Sequence, residues 1–121
     1  MTMDWEEIGK RAFNRYFNTF NKFEDHDECQ ELAGEEIESA MDDAGIEIES
    51  MWYEDLPVDA WVDLATGFMS AYKGIENEVG YAPSEDFMGA LHTWFSDCMF
   101  TANEYHKDAQ LGSLLDEFNK L

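Results

Sequence analysis

Positive charge is the scarcest feature of this 121-residue sequence: 7 Lys and Arg stand against 28 Asp and Glu, a formal net charge of -21. Nucleic acids and anionic membrane surfaces carry the same sign, so sequence-independent binding to either is excluded. Cysteine is nearly absent. Cys29 and Cys98 lie far apart with no CxxC spacing, which excludes a disulfide framework or a zinc ribbon. Glu28 and Glu31 flank Cys29 and should raise its thiol pKa, so both cysteines read as buried small residues. Long apolar runs are missing too, and Met1-Thr2-Met3-Asp4 has no basic region followed by an apolar one. The expectation is a protein of the cytoplasm with no signal peptide and no membrane-spanning helix.

Catalytic and metal motifs are equally wanting. The histidines are His26, His92 and His106; none belongs to an HExxH, and no Glu-x-x-His supports a di-iron bundle. Asp25-x-Asp27 begins like a calcium loop, but Gln30 occupies the sixth position, where glycine is needed, and the intermediate ligands are missing before Glu36. There is no glycine-rich phosphate loop and no nucleophile elbow. No enzyme activity, metal or cofactor is expected, and His92 and His106 read as hydrogen-bonded structural residues.

What is present suffices for a folded domain. Apolar residues make up 45% and aromatics 15%, enough to bury a core despite the charge. The length allows a single domain over residues 1–121, and no linker or repeat divides it. Trp5, Ile8, Ala12, Phe13, Tyr16, Phe17, Phe20 and Phe23 recur at steps of three and four, predicting a first amphipathic helix over residues 4–22. Asp25 can cap a second helix with Glu28 as its capping-box partner, and Gly45 supplies a stop. The inner side of that helix is Cys29, Leu32, Ala33, Ile37, Ala40, Met41 and Ala44.

Residues 46–54 are read as a loop, with a short strand as the alternative. Asp55 and Pro57 open a third helix with inner positions Val58, Trp61, Leu64, Ala65, Phe68 and Tyr72, loosened at Gly74. Ser84 caps a fourth carrying Phe87, Met88, Leu91, Phe95, Cys98, Met99, Ala102 and Tyr105, and Leu111, Leu114, Leu115 and Phe118 mark a short tail helix. The fold class is therefore all-α, a compact domain of four to five helices with an acidic surface.

The distribution of charge is more informative than its total. Residues 1–23 carry a net +1, residues 24–59 carry fifteen acids and no Lys or Arg, and residues 60–121 carry a net −7. Acidity acquired for general solubility or for concentrated salt would be spread more evenly. On the second helix Glu24, Glu28, Glu31, Glu35, Glu38 and Asp42 step by three and four, so they share one face opposite the apolar side. Asp25, Asp27, Glu36, Asp43, Glu47, Glu49, Glu54, Asp55 and Asp59 widen the zone. Like charges at such spacings repel by a few tenths of a kcal/mol per pair, and no lysine relieves them.

From Glu24 to Asp42 an α-helix would run about 27 Å, the length of about eight base pairs, with a carboxylate every ~5 Å. The pattern imitates a nucleic-acid backbone. Its natural partner is the cationic DNA channel of another protein, engaged through Glu24, Asp25, Asp27, Glu28, Glu31, Glu35, Glu38, Asp42, Asp43, Glu47, Glu49, Glu54, Asp55 and Asp59. Trp52 and Tyr53 are candidate interface aromatics, whereas Trp61 fits the core. The alternative is an acidic immunity or antitoxin protein that neutralises one cognate nuclease toxin.

Two segments, Ile37-Glu38-Ser39-Ala40-Met41-Asp42-Asp43-Ala44 and Trp52-Tyr53-Glu54-Asp55-Leu56, carry a resemblance to phage-encoded DNA-mimic antirestriction proteins that block type I restriction enzymes. Anti-CRISPR proteins that fill the DNA groove of a CRISPR effector share this physical type. The resemblance covers about a dozen positions, and the spacer Gly45 to Met51 is longer here than in the pattern. It implies a small helical inhibitor, often a homodimer, acting in the host cytoplasm on a restriction enzyme, a CRISPR effector or another DNA enzyme.

Overall fold

The computed structural model describes residues 3–121. In chain order the elements are α1 (Trp5–Phe23), α2 (His26–Asp43), α3 (Trp52–Asp55), α4 (Val58–Val79), α5 (Glu85–His106) and α6 (Ala109–Asn119), with no strand among the described residues. None of these helices is long and apolar enough to cross a membrane.

Side-chain caps set most of the helix starts. Asp4 accepts from the Glu7 N–H at 3.1 Å, Asp25 from the N–H groups of Asp27 and Glu28, Ser84 from Phe87 and Asp108 from Leu111. At the end of α2, Gly45 takes the left-handed conformation with φ 76°, and Ile46 N–H closes onto the Met41 carbonyl at 2.8 Å. This is a Schellman stop, for which glycine carries no Cβ penalty.

Helix α1 lies between α2 and α4 and approaches both closely. The α1–α4 approach depends on two glycines. A Cβ on Gly9 would overlap the Leu64 carbonyl oxygen of α4, and one on Gly67 would overlap the Glu6 carbonyl oxygen of α1. The α2 side uses Cys29, Ala33, Ile37, Ala40 and Met41, all buried. Small residues dominate there, and that lets the helices pack tightly.

Over this layer lies the α5–α6 hairpin, separated from it by aromatic rings. Phe68 of α4 stacks on Phe95 of α5 at 3.7 Å between centroids and 9° between planes, and Phe118 of α6 stands edge-on to both. Tyr16 of α1 meets Phe87 and Trp94 of α5. Trp61 is fully buried, as its place on the inner face predicts, and its indole N–H donates to the Tyr53 carbonyl at 2.9 Å. Large rings of this kind contribute most of the buried area of the core.

The structure departs from the sequence expectations at several places. The segment 46–54 is not loop throughout: residues 52–55 form a single helical turn, so the helices among the described residues number six rather than four to five. Burial of Trp52 drives that turn, together with the Asp55 carboxylate, which folds the preceding loop back by accepting from Glu49 and Ser50 N–H at 2.8 Å. Helix α4 continues through Gly74 and stops at Gly80, whose φ is 79°. Tyr105 and Phe23, expected on inner faces, are 62% and 57% exposed because each sits in the last turn of its helix, beyond the packed layer.

Candidate functional site

The acidic row is shorter than the sequence spacing suggests. Helix α1 ends at Glu24 in the left-handed conformation, φ 54°, and Asp25 is extended, so α2 begins only at His26. Glu24 therefore lies off the helix that carries the other acids. The regular stripe is Glu28, Glu31, Glu35, Glu38 and Asp42, about 21 Å along the axis or about six base pairs of duplex. Glu31, Glu35, Glu38 and Asp42 are exposed and Glu28 is half-buried.

Among the described residues no base neutralises this row. The ion pairs among the described residues are Arg11–Glu7, Arg15–Glu36 and Lys73–Glu117, all at 3.7–3.8 Å. Only Glu36 of these carboxylates belongs to α2, and it faces α1 rather than the stripe. The last turn of α2 carries no Lys or Arg; Asp42 and Asp43 sit there instead, at the negative end of the helix dipole. Local electrostatics thus oppose the sequence twice, through neighbouring like charges and through acids at the wrong terminus.

The row is not a free-standing ridge. Aromatic spacers hold α2 and α5 apart, and between them opens a cleft of about 940 Å³. One wall is the α2 face with Asp27, Gln30, Glu31, Gly34, Glu35 and Glu38. The opposite wall is α5, with Gly89, Ala90, Thr93, Asp97 and Thr101, and Met51, Trp52, Tyr53, Trp94 and Cys98 complete the lining. Five carboxylates and no base therefore surround an aromatic floor. Partial desolvation against the cleft wall, with Glu35 adding its negative charge, pushes the Glu38 carboxyl above its ordinary value.

The remaining candidates separate by their local roles. Asp25 is engaged as the α2 cap, Asp55 clamps the 49–50 backbone, and Glu54 accepts from the Ser50 hydroxyl at 2.9 Å. These three carboxylates hold the fold at its turns. Asp43, Glu47, Glu49 and Asp59 are exposed, and Asp59 lies in the first turn of α4, where the dipole favours an acid. Trp52 is not the exposed aromatic that its place in the sequence suggests; it is only 6% exposed, stacked on Trp61 at 5.5 Å, with its edge reaching the cleft. Tyr53 is half-buried in the same lining.

Asp97 is a site residue that sequence reasoning missed. It lies far from the acidic segment and reaches the cleft only because α5 crosses opposite α2. Trp94 escaped notice for the same reason.

Groups with chemical potential elsewhere are structural. His92 Nε2 meets the Phe118 carbonyl at 2.8 Å and His106 Nε2 the Leu56 carbonyl at 3.1 Å, tying α5 to its neighbours as expected. His26 Nδ1 pairs with the Tyr16 hydroxyl at 2.8 Å, and burial raises that phenol to about 12. Cys29 and Cys98 are buried free thiols, pushed up to about 11 and about 12 by burial, with Asp25 and Asp97 adding to the effect. Among the described residues no group of three His, Cys, Asp or Glu is placed to hold a metal ion. Comparison with protein-family models, curated proteins and solved structures finds no match to this chain.

Proposed function

We propose that this chain is a DNA-mimic inhibitor that occupies the DNA-binding channel of a DNA-handling defence enzyme, a restriction-modification enzyme or a CRISPR effector. One observation supports the reading above all others: Glu28, Glu31, Glu35, Glu38 and Asp42 stand in a regular row on α2, and among the described residues no base pairs with any of them. Long-range attraction speeds encounter with a cationic channel, and carboxylates fixed on a helix then pair with the Arg and Lys that otherwise hold phosphates. Rigidity matters, because a preset row loses less entropy on binding than a flexible acidic tail would.

The test is a DNA-cleavage or DNA-binding assay with type I restriction enzymes and DNA-targeting CRISPR effectors, run against added duplex DNA and at graded salt. Inhibition is expected to be relieved by competing duplex and to weaken steeply as salt rises. Reversal of Glu28, Glu31, Glu35 and Glu38 to Lys is expected to abolish it in a chain that still melts cooperatively. Undiminished inhibition by that variant would remove the stripe as the contact surface. Action on one nuclease alone, indifferent to duplex DNA, would favour an immunity protein.

A further inference from the structure

The cleft between α2 and α5 offers more than a negative field. Its lining combines acceptors on both walls, aromatic surface between them, and one donor left open. Trp52 is more than nine-tenths buried, yet among the described residues its indole N–H has no acceptor, unlike that of Trp61, which donates to Tyr53. Gly34 explains the opening: a Cβ there would lie 3.3 Å from Trp52 Nε1 and 3.8 Å from Glu38 Oε1. With no side chain on Gly34, the N–H and the carboxylate converge on the same stretch of cleft wall.

Each group selects part of a ligand. Carboxylates on α2 and Asp97 on α5 favour a cation reached from two sides. A guanidinium fits better than an ammonium, since it bridges carboxylates with parallel hydrogen bonds and lies flat on an aromatic face such as Trp94 or Tyr53. The Trp52 N–H is open to the cleft and not sealed in the core, so it can donate to an acceptor that enters there, which a bare cation lacks and a peptide carbonyl provides. From Asp27 to Glu38 the wall extends about 16 Å, room for about five extended residues.

We propose that the cleft captures an arginine-bearing segment of the partner protein. Guanidinium groups sit between the α2 carboxylates and Asp97, over Trp94 and Tyr53, while a main-chain carbonyl accepts from Trp52. This rests on the DNA-mimic reading for the nature of the partner, and it adds that recognition includes insertion of protein into the cleft as well as pairing along the stripe.

The experiment follows the four indole N–H resonances of the isotope-labelled chain during titration with three probes: a short peptide alternating arginine and glycine, its lysine counterpart, and spermine. The arginine peptide is expected to shift Trp52 and Trp94 while leaving Trp5 and Trp61 in place, and to bind at least tenfold more tightly than the other two. Asp97→Lys lies outside the acidic segment and is expected to weaken it at least tenfold. Gly89→Leu supplies a variant of unchanged charge: a Cβ at Gly89 meets nothing within 4 Å, so the side chain obstructs the cleft without disturbing the helix.

Equal binding of lysine peptide or spermine, silent indoles, or parent-like binding by both variants would each overturn the proposal. The same variants separate it from the broader reading. If both still block DNA binding while the fourfold reversal on α2 does not, mimicry stands and cleft capture falls. If the arginine peptide fills the cleft but the chain never competes with DNA, cleft capture stands and mimicry falls.

Discussion

Gly9 and Gly67 each receive the backbone of the other's helix: the Gly9 position presses on the Leu64 carbonyl, and the Gly67 position on that of Glu6. This reciprocal seat fixes how α4 crosses α1. It also sets where the hairpin above them places α5 relative to α2. Alanine at either glycine has no flexible atom to push aside, only backbone. Gly9→Ala and Gly67→Ala are each expected to destabilise by at least about 2 kcal/mol, seen as a fall of roughly 5 °C or more in Tm by circular dichroism. Gly74→Ala is the control. Its Cβ meets nothing, so removing a helix-interior glycine should raise stability by about 0.5–1 kcal/mol.

The two thiols should behave as inert core residues. Their values of about 11 for Cys29 and about 12 for Cys98 leave little thiolate at pH 8, and burial blocks reagent access as well. Alkylation of the native chain at pH 8 is expected to be slower than in denaturant by about two orders of magnitude. Both thiols should react together as the chain unfolds. Rapid labelling of either in native conditions would contradict the packing described for α2 and α5.

Glu38 supplies a pH signature. Desolvation at the cleft wall and the charge of Glu35 raise its folded-state value above the ordinary 4.5, so the folded chain holds this proton more tightly than the unfolded one. Stability linked to the group is therefore fully present below 4.5 and is lost as pH rises through the folded value. Glu38→Gln removes the charge. It should be more stable than the parent at pH 7, and the difference should shrink on acidification and vanish below about pH 4.5. Urea unfolding of both proteins from about pH 7 to about pH 4 checks the sign; a variant less stable at neutral pH would reverse it.

Much of this molecule is legible along the chain because its long helices keep a strict period. The inner residues Cys29, Ala33, Ile37, Ala40 and Met41 of α2, the Asp25, Ser84 and Gly45 signals and the core place of Trp61 follow from spacing and cap chemistry alone, whereas Ala44, expected on the same inner side, is exposed because it caps the end of the helix. The α3 turn does not, since four residues are too few to show a period, and Trp52 is drawn inward by Trp61 and Trp94 from other helices. The stripe is readable in the sequence except for its first member, because a non-glycine residue, Glu24, takes the left-handed turn that ends α1. The cleft is invisible there for a different reason. Asp97 meets the α2 carboxylates only through tertiary packing, and no local pattern records a separation held open by aromatic rings.

A carboxylate row that costs stability leaves a measurable trace. Glu35 has Glu31 one turn before it and Glu38 nearly one turn after, and among the described residues no ion pair relieves any of the three. Glu35→Lys converts two repulsions into two attractions, each change amounting to a few tenths of a kcal/mol. The variant is expected to melt at a higher temperature than the parent in low salt. Because the gain is electrostatic and exposed, it should diminish toward zero near 1 M salt, where the screening length falls to about 3 Å. The same variant should inhibit a DNA-binding target less well. Greater stability joined to weaker inhibition is the result expected of a surface whose charges serve a partner rather than the fold; a Glu35→Lys variant that is less stable in low salt would show that Glu35 is held by the fold itself.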